Sequence, residues 1–145
     1  MTRRAILGLF LGLFLSIGTA DGKQEEKFVV IVNRSNQFDS LSRARLTFLY
    51  LRKVSRWPWG AEVDPINLDA HDPVRREFNR RILQTTEEQL AEYWIDQRVA
   101  RGVGPPMDVR DAAAARAIVA RRPGAIAYIP ADQADGTVKV LTVTP

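Results

Sequence analysis

The sequence contains no cysteine and a single histidine, His71. Without thiols there is no disulfide to staple the fold in an oxidising compartment, no lipid-bearing cysteine after a cleavage site, and no cysteine nucleophile. One imidazole flanked by Asp69 and Asp72 falls short of the ligand sets that hold zinc. The signatures HExxH, GxSxG and the P-loop are missing as well. A Ser-His-Asp set drawn from Ser40, His71 and Asp72 has nothing to fix its geometry. Glu87, Glu88 and Glu92 carry the spacing of a helix surface, not of an acid/base pair. The residues point away from an enzyme, and no cofactor or metal is expected.

An excess of one charge is also lacking. There are 21 Lys and Arg against 17 Asp and Glu, a formal net charge of +4. Arg3 and Arg4 belong to the leader described next, and without them the excess is about +2. Nucleic-acid binders carry a far stronger basic footprint, so no nucleic-acid partner is expected.

A membrane-length apolar run is missing too. Ala5–Ile17 is apolar but shorter than the ~20 residues of a spanning helix, and it lies between two arginines and the small residues Gly18-Thr19-Ala20. This is the pattern of a secretory signal peptide over residues 1–20, cleaved near Ala20. Residues 21–27 then form a polar leader, and 28–145 is expected to be one domain, periplasmic or secreted, with a single core.

What is present reads as alternating strands and helices. FVVIVN (28–33) is a continuous β-branched run, the mark of a strand buried on both faces. Ser40 or Ser42 can cap a helix reaching about Leu51, with Leu41, Ala44, Phe48 and Leu49 at helical spacing. A Trp-Pro-Trp-Gly turn at 57–60 precedes a short strand near 63–68, where Pro65 is tolerated only at an edge or a strand start. Pro73 opens a helix to about Leu83 with Asp72 as N-cap. Thr85 and Glu88 match a capping box for a helix through about Val99. Residues 101–107 are a turn-rich break. Asp108 with Asp111 opens an alanine-rich helix ended by Pro123-Gly124, and strands follow at AIAYIP and TVKVLTV. The alternation predicts an α/β domain with a mainly parallel sheet flanked by helices.

The series FVVIVNRSN, SLSRARLTFLYLRKVSRWPWG, VDPINL, REFNRRIL, AEYW and RRPGAIAYIP resembles, in that order, the second lobe of the phosphate-type periplasmic substrate-binding proteins. It covers Phe28 to about Pro130. The resemblance implies a single-lobe, type II periplasmic-binding-protein-like domain. Full members of that family clamp an anion between two lobes, using helix N-termini, hydroxyls and arginine as donors. Where phosphate-binding members tend to carry Ser-Gly-Thr-Arg, this chain has Asp72-Pro73-Val74-Arg75. Arg52 and Ala127 stand where glycines are usual, and a left-handed Arg52 would cost about 1 kcal/mol.

Two stretches are candidate ligand-binding sites. At the front of the Pro73 helix stand His71, Asp72, Arg75 and Arg76, where the helix dipole and an arginine fork favour an anion. The plainer reading makes Asp72 an ordinary cap and the arginines a solvated face paired with Glu77 or other nearby acids. Asn33, Arg34 and Ser35 follow the first strand, where α/β crevices gather ligands; a polar turn explains them equally. Two functions follow. One is a non-enzymatic solute-binding-like domain holding an oxyanion such as phosphate. The other is an interaction module that has lost solute capture and uses its open cleft face against a sensor, a membrane transporter component or a second copy as a homodimer.

Overall fold

A computed structural model describes residues 28–145. The predicted signal peptide (1–20) and polar leader (21–27) lie outside the described residues. The chain forms a six-stranded sheet in the order β2-β6-β1-β5-β3-β4. The strands are β1 (Val29–Val32), β2 (Ser40–Ser42), β3 (Asp64–Asn67), β4 (Met107–Asp108), β5 (Ala125–Ile129) and β6 (Lys139–Thr144). The helices are α1 (Arg43–Tyr50), α2 (Pro73–Phe78), α3 (Glu87–Arg101) and α4 (Ala112–Arg121). The predicted α/β class and helix-flanked sheet are present.

Five of the six strands point the same way, and β1 alone is reversed. It pairs antiparallel with both β5 and β6, whereas the β2–β6, β3–β5 and β3–β4 pairings are parallel. As the run 28–33 predicts, β1 is central. β5 is buried along its whole length, which is why AIAYI shows no polar alternation. Pro65 sits inside β3, but β4 pairs only with Ile66 and Asn67, so the proline lies where the strand has a single neighbour.

Local chemistry explains most helix ends. Ser42 accepts from the Arg45 N–H and starts α1. Ser40, the alternative cap, and Leu41, read from sequence at helical spacing, instead lie in β2 beside β6. The α1 face turned to the core is Leu46, Leu49 and Tyr50, while Phe48 is 47% exposed under Lys53; apolar residues stand on two faces of this helix, and packing chose one. Arg52 does adopt the left-handed conformation, with φ 54°. Its N–H donates to Leu49 O and the Lys53 N–H to Phe48 O, a Schellman ending in which glycine is the usual residue.

The Pro73 helix runs six residues as α2 and continues as a π-helical turn over Asn79–Leu83. The capping box of α3 lies one residue later than the sequence suggests: Thr86 and Gln89 exchange the paired bonds, and Thr85 only supports Gln89. Asp111 alone caps α4, because Asp108 belongs to β4.

The core is aromatic where α1 and α2 meet the sheet. Phe78 stacks on Tyr128 with centroids 3.9 Å apart, and Tyr50 and Phe28 pack around them. At the other end of β5, Gly124 is needed for close approach. A Cβ there would lie 1.7 Å from the Glu62 carbonyl oxygen, while the Gly124 carbonyl accepts from Trp57 Nε1 and the Asp64 N–H.

Two substitutions test these backbone assignments by urea unfolding. Arg52→Gly is expected to stabilise by about 0.5–1 kcal/mol, the relief of left-handed strain less the extra chain entropy of glycine. Gly124→Ala is expected to destabilise by about 1–3 kcal/mol, because neither the backbone of residue 62 nor Trp57 can yield easily.

Candidate functional site

In a sheet of this kind ligands gather beyond the carboxyl ends of the parallel strands. Here the ends of β3 and β4, at Asn67 and Asp108, open into a crevice of about 550 Å³. Arg75, Asn79 and Glu87 line it on the polar side, and Leu90, Trp94 and Ile95 of α3 on the apolar side.

Arg75 is the centre of the polar side, and α2 places it there. Asp72 caps the helix by accepting from the Val74 N–H at 2.8 Å, and Pro73 sets the first helical position. The Arg75 side chain then turns inward. Its Nε donates to Glu87 Oε1 at 2.6 Å and its Nη2 to Glu87 Oε2 at 3.0 Å, a bidentate pair. Nη1 donates to the Leu68 carbonyl at 2.7 Å and to Asp108 Oδ1 at 2.8 Å. Asn79 Nδ2 donates to Glu87 Oε1 as well. A guanidinium has five N–H groups, so these contacts leave one.

Burial works against the charge on Arg75. Hydrogen bonding to Glu87, together with the charges of Asp108 and Glu87, outweighs it and raises the guanidinium above its ordinary pKa. The arginine stays charged with two carboxylates against it, so the cluster carries a net charge of about −1.

Beneath this cluster lies a buried hydrogen-bond web. Tyr128 OH donates to Asn67 Oδ1 at 3.0 Å and accepts from the Leu68 N–H at 3.3 Å. Tyr50 OH lies 2.9 Å from the Ile66 carbonyl and 3.2 Å from that of Ile126. Burial pushes both phenols above their ordinary range, Tyr50 helped by the neighbouring Tyr128.

The other predicted residues are spread over both ends of the sheet. His71 is fully exposed and rests 3.3 Å from Asp69; the His71 backbone N–H holds the Asp69 carboxyl below its usual pKa. Arg76 is exposed beside Asp72. Asn33, Arg34 and Ser35 stand elsewhere. Because β1 runs against β3 and β5, its carboxyl end lies beside their starts, with Val32 opposite Ile126 and Asp64 opposite Ala125. Strands of four or five residues separate the two sheet ends by on the order of 15 Å. Asn33 there donates to the Val119 and Ala120 carbonyls at the end of α4, and its Oδ1 holds the Ser35 N–H and hydroxyl. Arg34 donates to the Gly136 carbonyl. This is the bonding of a polar turn.

Glu87, Asp108, Asn79 and Tyr128 are the site residues that sequence reading passes over. Glu87 reads as helix surface and Asp108 as a helix start, and no local pattern links either to Arg75, 12 and 33 residues away.

The web beneath the cluster makes a pH prediction. Each phenol has a folded pKa above its unfolded value of about 10, so the unfolded chain releases protons first as pH rises. Stability is intact below about pH 10 and is then lost at up to about 2.7 kcal/mol per pH unit from the two tyrosines. Urea midpoints between about pH 9 and pH 11 measure this slope, to which the half-buried Tyr93 adds in the same direction, and Tyr50→Phe should make it shallower.

Solved structures with a similar fold include phosphate transport proteins. The chain superposes with a TM-score of 0.66 at 16% identity on an ABC-type phosphate transport receptor from Vibrio cholerae, covering 81% of this chain and 46% of that one. A phosphate ABC transporter substrate-binding protein from Clostridium perfringens, solved with bound phosphate, gives 0.65 at 16%, with 81% and 44% covered. PstS from Borrelia burgdorferi gives 0.64 at 16%, with 81% and 47% covered. No protein-family model matches the sequence, and no curated protein does. The chain thus spans about half the length of these phosphate ABC transporter substrate-binding proteins and shares the fold of the part that it covers.

Proposed function

We propose that this chain is an exported, non-enzymatic solute-binding-like domain that works by protein contact rather than by capture of free phosphate. One observation carries the reading: the arginine at the carboxyl-end crevice already holds a carboxylate pair of its own. Glu87 meets Arg75 in the bidentate geometry that an oxyanion would use, and Asp108 takes a third contact. An incoming phosphate would have to displace Glu87 and would still face the Asp108 charge. Asp72 spends its carboxylate on the Val74 N–H at the helix front. Asn33, Arg34 and Ser35, at the other end of the sheet, supply no second half of a grip.

The apolar side of the crevice supports the contact reading. Ile95 and Val99 are 65% and 85% exposed and Met107 is 41% exposed, a run of aliphatic surface that water covers poorly. The class of partner is a protein at the outer face of the cell: a transporter component, a sensor or another copy of this chain.

Thermal unfolding with millimolar phosphate or sulfate tests the proposal. The wild-type midpoint is expected to stay unchanged, and a saturable rise would restore oxyanion capture as the function. Glu87→Ala should lower stability by about 2–3 kcal/mol, less than a fully enclosed pair because Glu87 is 28% exposed. With the bidentate edge of Arg75 freed and the Asp108 charge removed as well, Glu87→Ala combined with Asp108→Asn should gain the response that the wild type lacks, about 1.4 kcal/mol at ten times the dissociation constant.

A further inference from the structure

The crevice keeps two polar groups that the ion cluster does not use. Asn67 lines it and is 8% exposed. Its Oδ1 accepts from Tyr128, whose own oxygen takes the Leu68 N–H, so the amide is held with Nδ2 as its unspent end. Nδ2 has no hydrogen-bond partner among the described residues and, unlike that of Asn36, is not sealed from solvent. Asp108 spends Oδ1 on Arg75 and has Oδ2 left over, on a side chain that is 54% exposed.

These two groups stand side by side. Asn67 and Asp108 are register partners in the parallel β3–β4 pair, so their backbones are about 4.8 Å apart and their side chains leave the same face of the sheet. An amide donor and a carboxylate acceptor at that spacing match one residue of extended peptide. Such a residue turns its own N–H and C=O to the same side, as each hydrogen-bonded residue of an antiparallel pair does. The apolar wall of the crevice, with Leu90 and Trp94, gives a side chain a surface to lie on. The volume of about 550 Å³ is within the ~300–1,000 Å³ of ligand pockets. Charge favours a neutral ligand here. Arg75, Glu87 and Asp108 together carry about −1, and Arg98, which lines the crevice and rests against Gly104, brings the sum near zero. An oxyanion meets Glu87 and Asp108, and a bare cation meets Arg75 and Arg98.

We infer that the crevice binds one apolar residue of a partner's extended peptide: its C=O accepts from Asn67 Nδ2, its N–H donates to Asp108 Oδ2, and its side chain packs on Leu90 and Trp94. This rests on the protein-contact reading above and names what the partner contributes. The peptide uses only what the cluster leaves over. Arg75 keeps both bonds to Glu87 and its bond to Asp108 Oδ1, whereas phosphate has to break them. The apolar wall supplies affinity, and the Asn67–Asp108 pair selects for a backbone that carries both a carbonyl and an N–H.

Titration of the isotope-labelled protein with the neutral peptide N-acetyl-alanyl-leucyl-alanine amide, followed by NMR, tests this. Millimolar peptide should shift the Asn67 side-chain amide and the Trp94 indole N–H saturably. The same peptide methylated on the leucine nitrogen cannot donate to Asp108 and should bind about tenfold more weakly, and glycine in place of leucine should cost at least as much. Asp108→Asn turns the spare acceptor into a donor while Oδ1 stays on Arg75, and it should weaken the parent peptide by about tenfold and leave the methylated one unchanged. No saturable shift with the parent peptide overturns the inference, as does equal binding of the parent and methylated peptides. Either result leaves the protein-contact reading standing, because the phosphate response decides that reading separately.

Discussion

The fold turns on one buried guanidinium. Enclosing a charge in a protein costs several kcal/mol unless nearly every donor is paired, and Arg75 meets that condition with acceptors from three pieces of the chain, while Asn79 from a fourth donates to the same Glu87 carboxylate. Leu68 follows β3, Asn79 begins the π-helical turn, Glu87 starts α3, and Asp108 ends β4. β4 is two residues long and α3 buries one side chain, so neither element has much apolar packing to hold it in place. The ion cluster provides a directional alternative. The same contacts that fix these elements consume the groups an oxyanion would need, so the structural role of Arg75 and its availability as a receptor are in direct competition.

The reversal of β1 is the second constraint. With five strands aligned, the carboxyl-end rule for crevices applies to β3 and β4 but not to β1, whose carboxyl end belongs to the opposite edge of the sheet. Asn33 there acts as a tie between β1 and the last carbonyls of α4. The two predicted half-sites are each sound pieces of local chemistry. They do not meet, because strand direction places them on different ends of the molecule.

Aromatic packing under the crevice supplies the rigidity that the polar cluster needs. Tyr128 stacks on Phe78 while its hydroxyl fixes Asn67 and the Leu68 backbone, whose carbonyl in turn receives Arg75. A buried tyrosine contributes area and one directional contact together, and this one couples the core to the site. α3 lies on the far side of that coupling, polar-tethered and with aliphatic surface uncovered.

The sequence by itself determined whatever depends on neighbours a few residues apart. The β-branched run 28–33 became the central strand, and Asp72 and Pro73 began α2, whereas Arg52 kept the left-handed turn of a glycine that its replacement had put in question. A cap, a proline ring and a strand's periodicity act within one or two turns of backbone, so their signals are local. Where two neighbouring candidates were nearly equivalent, as with Thr85 and Thr86 or the two apolar faces of α1, local information ran out and packing decided. Only the tertiary structure could pair Arg75 with Glu87 and Asp108, part Asn33 from Asp72, and leave α3 uncovered. Those outcomes follow from strand direction and from contacts across long stretches of chain, and an electrostatic partner brought near by folding leaves no periodic mark in the sequence around either residue.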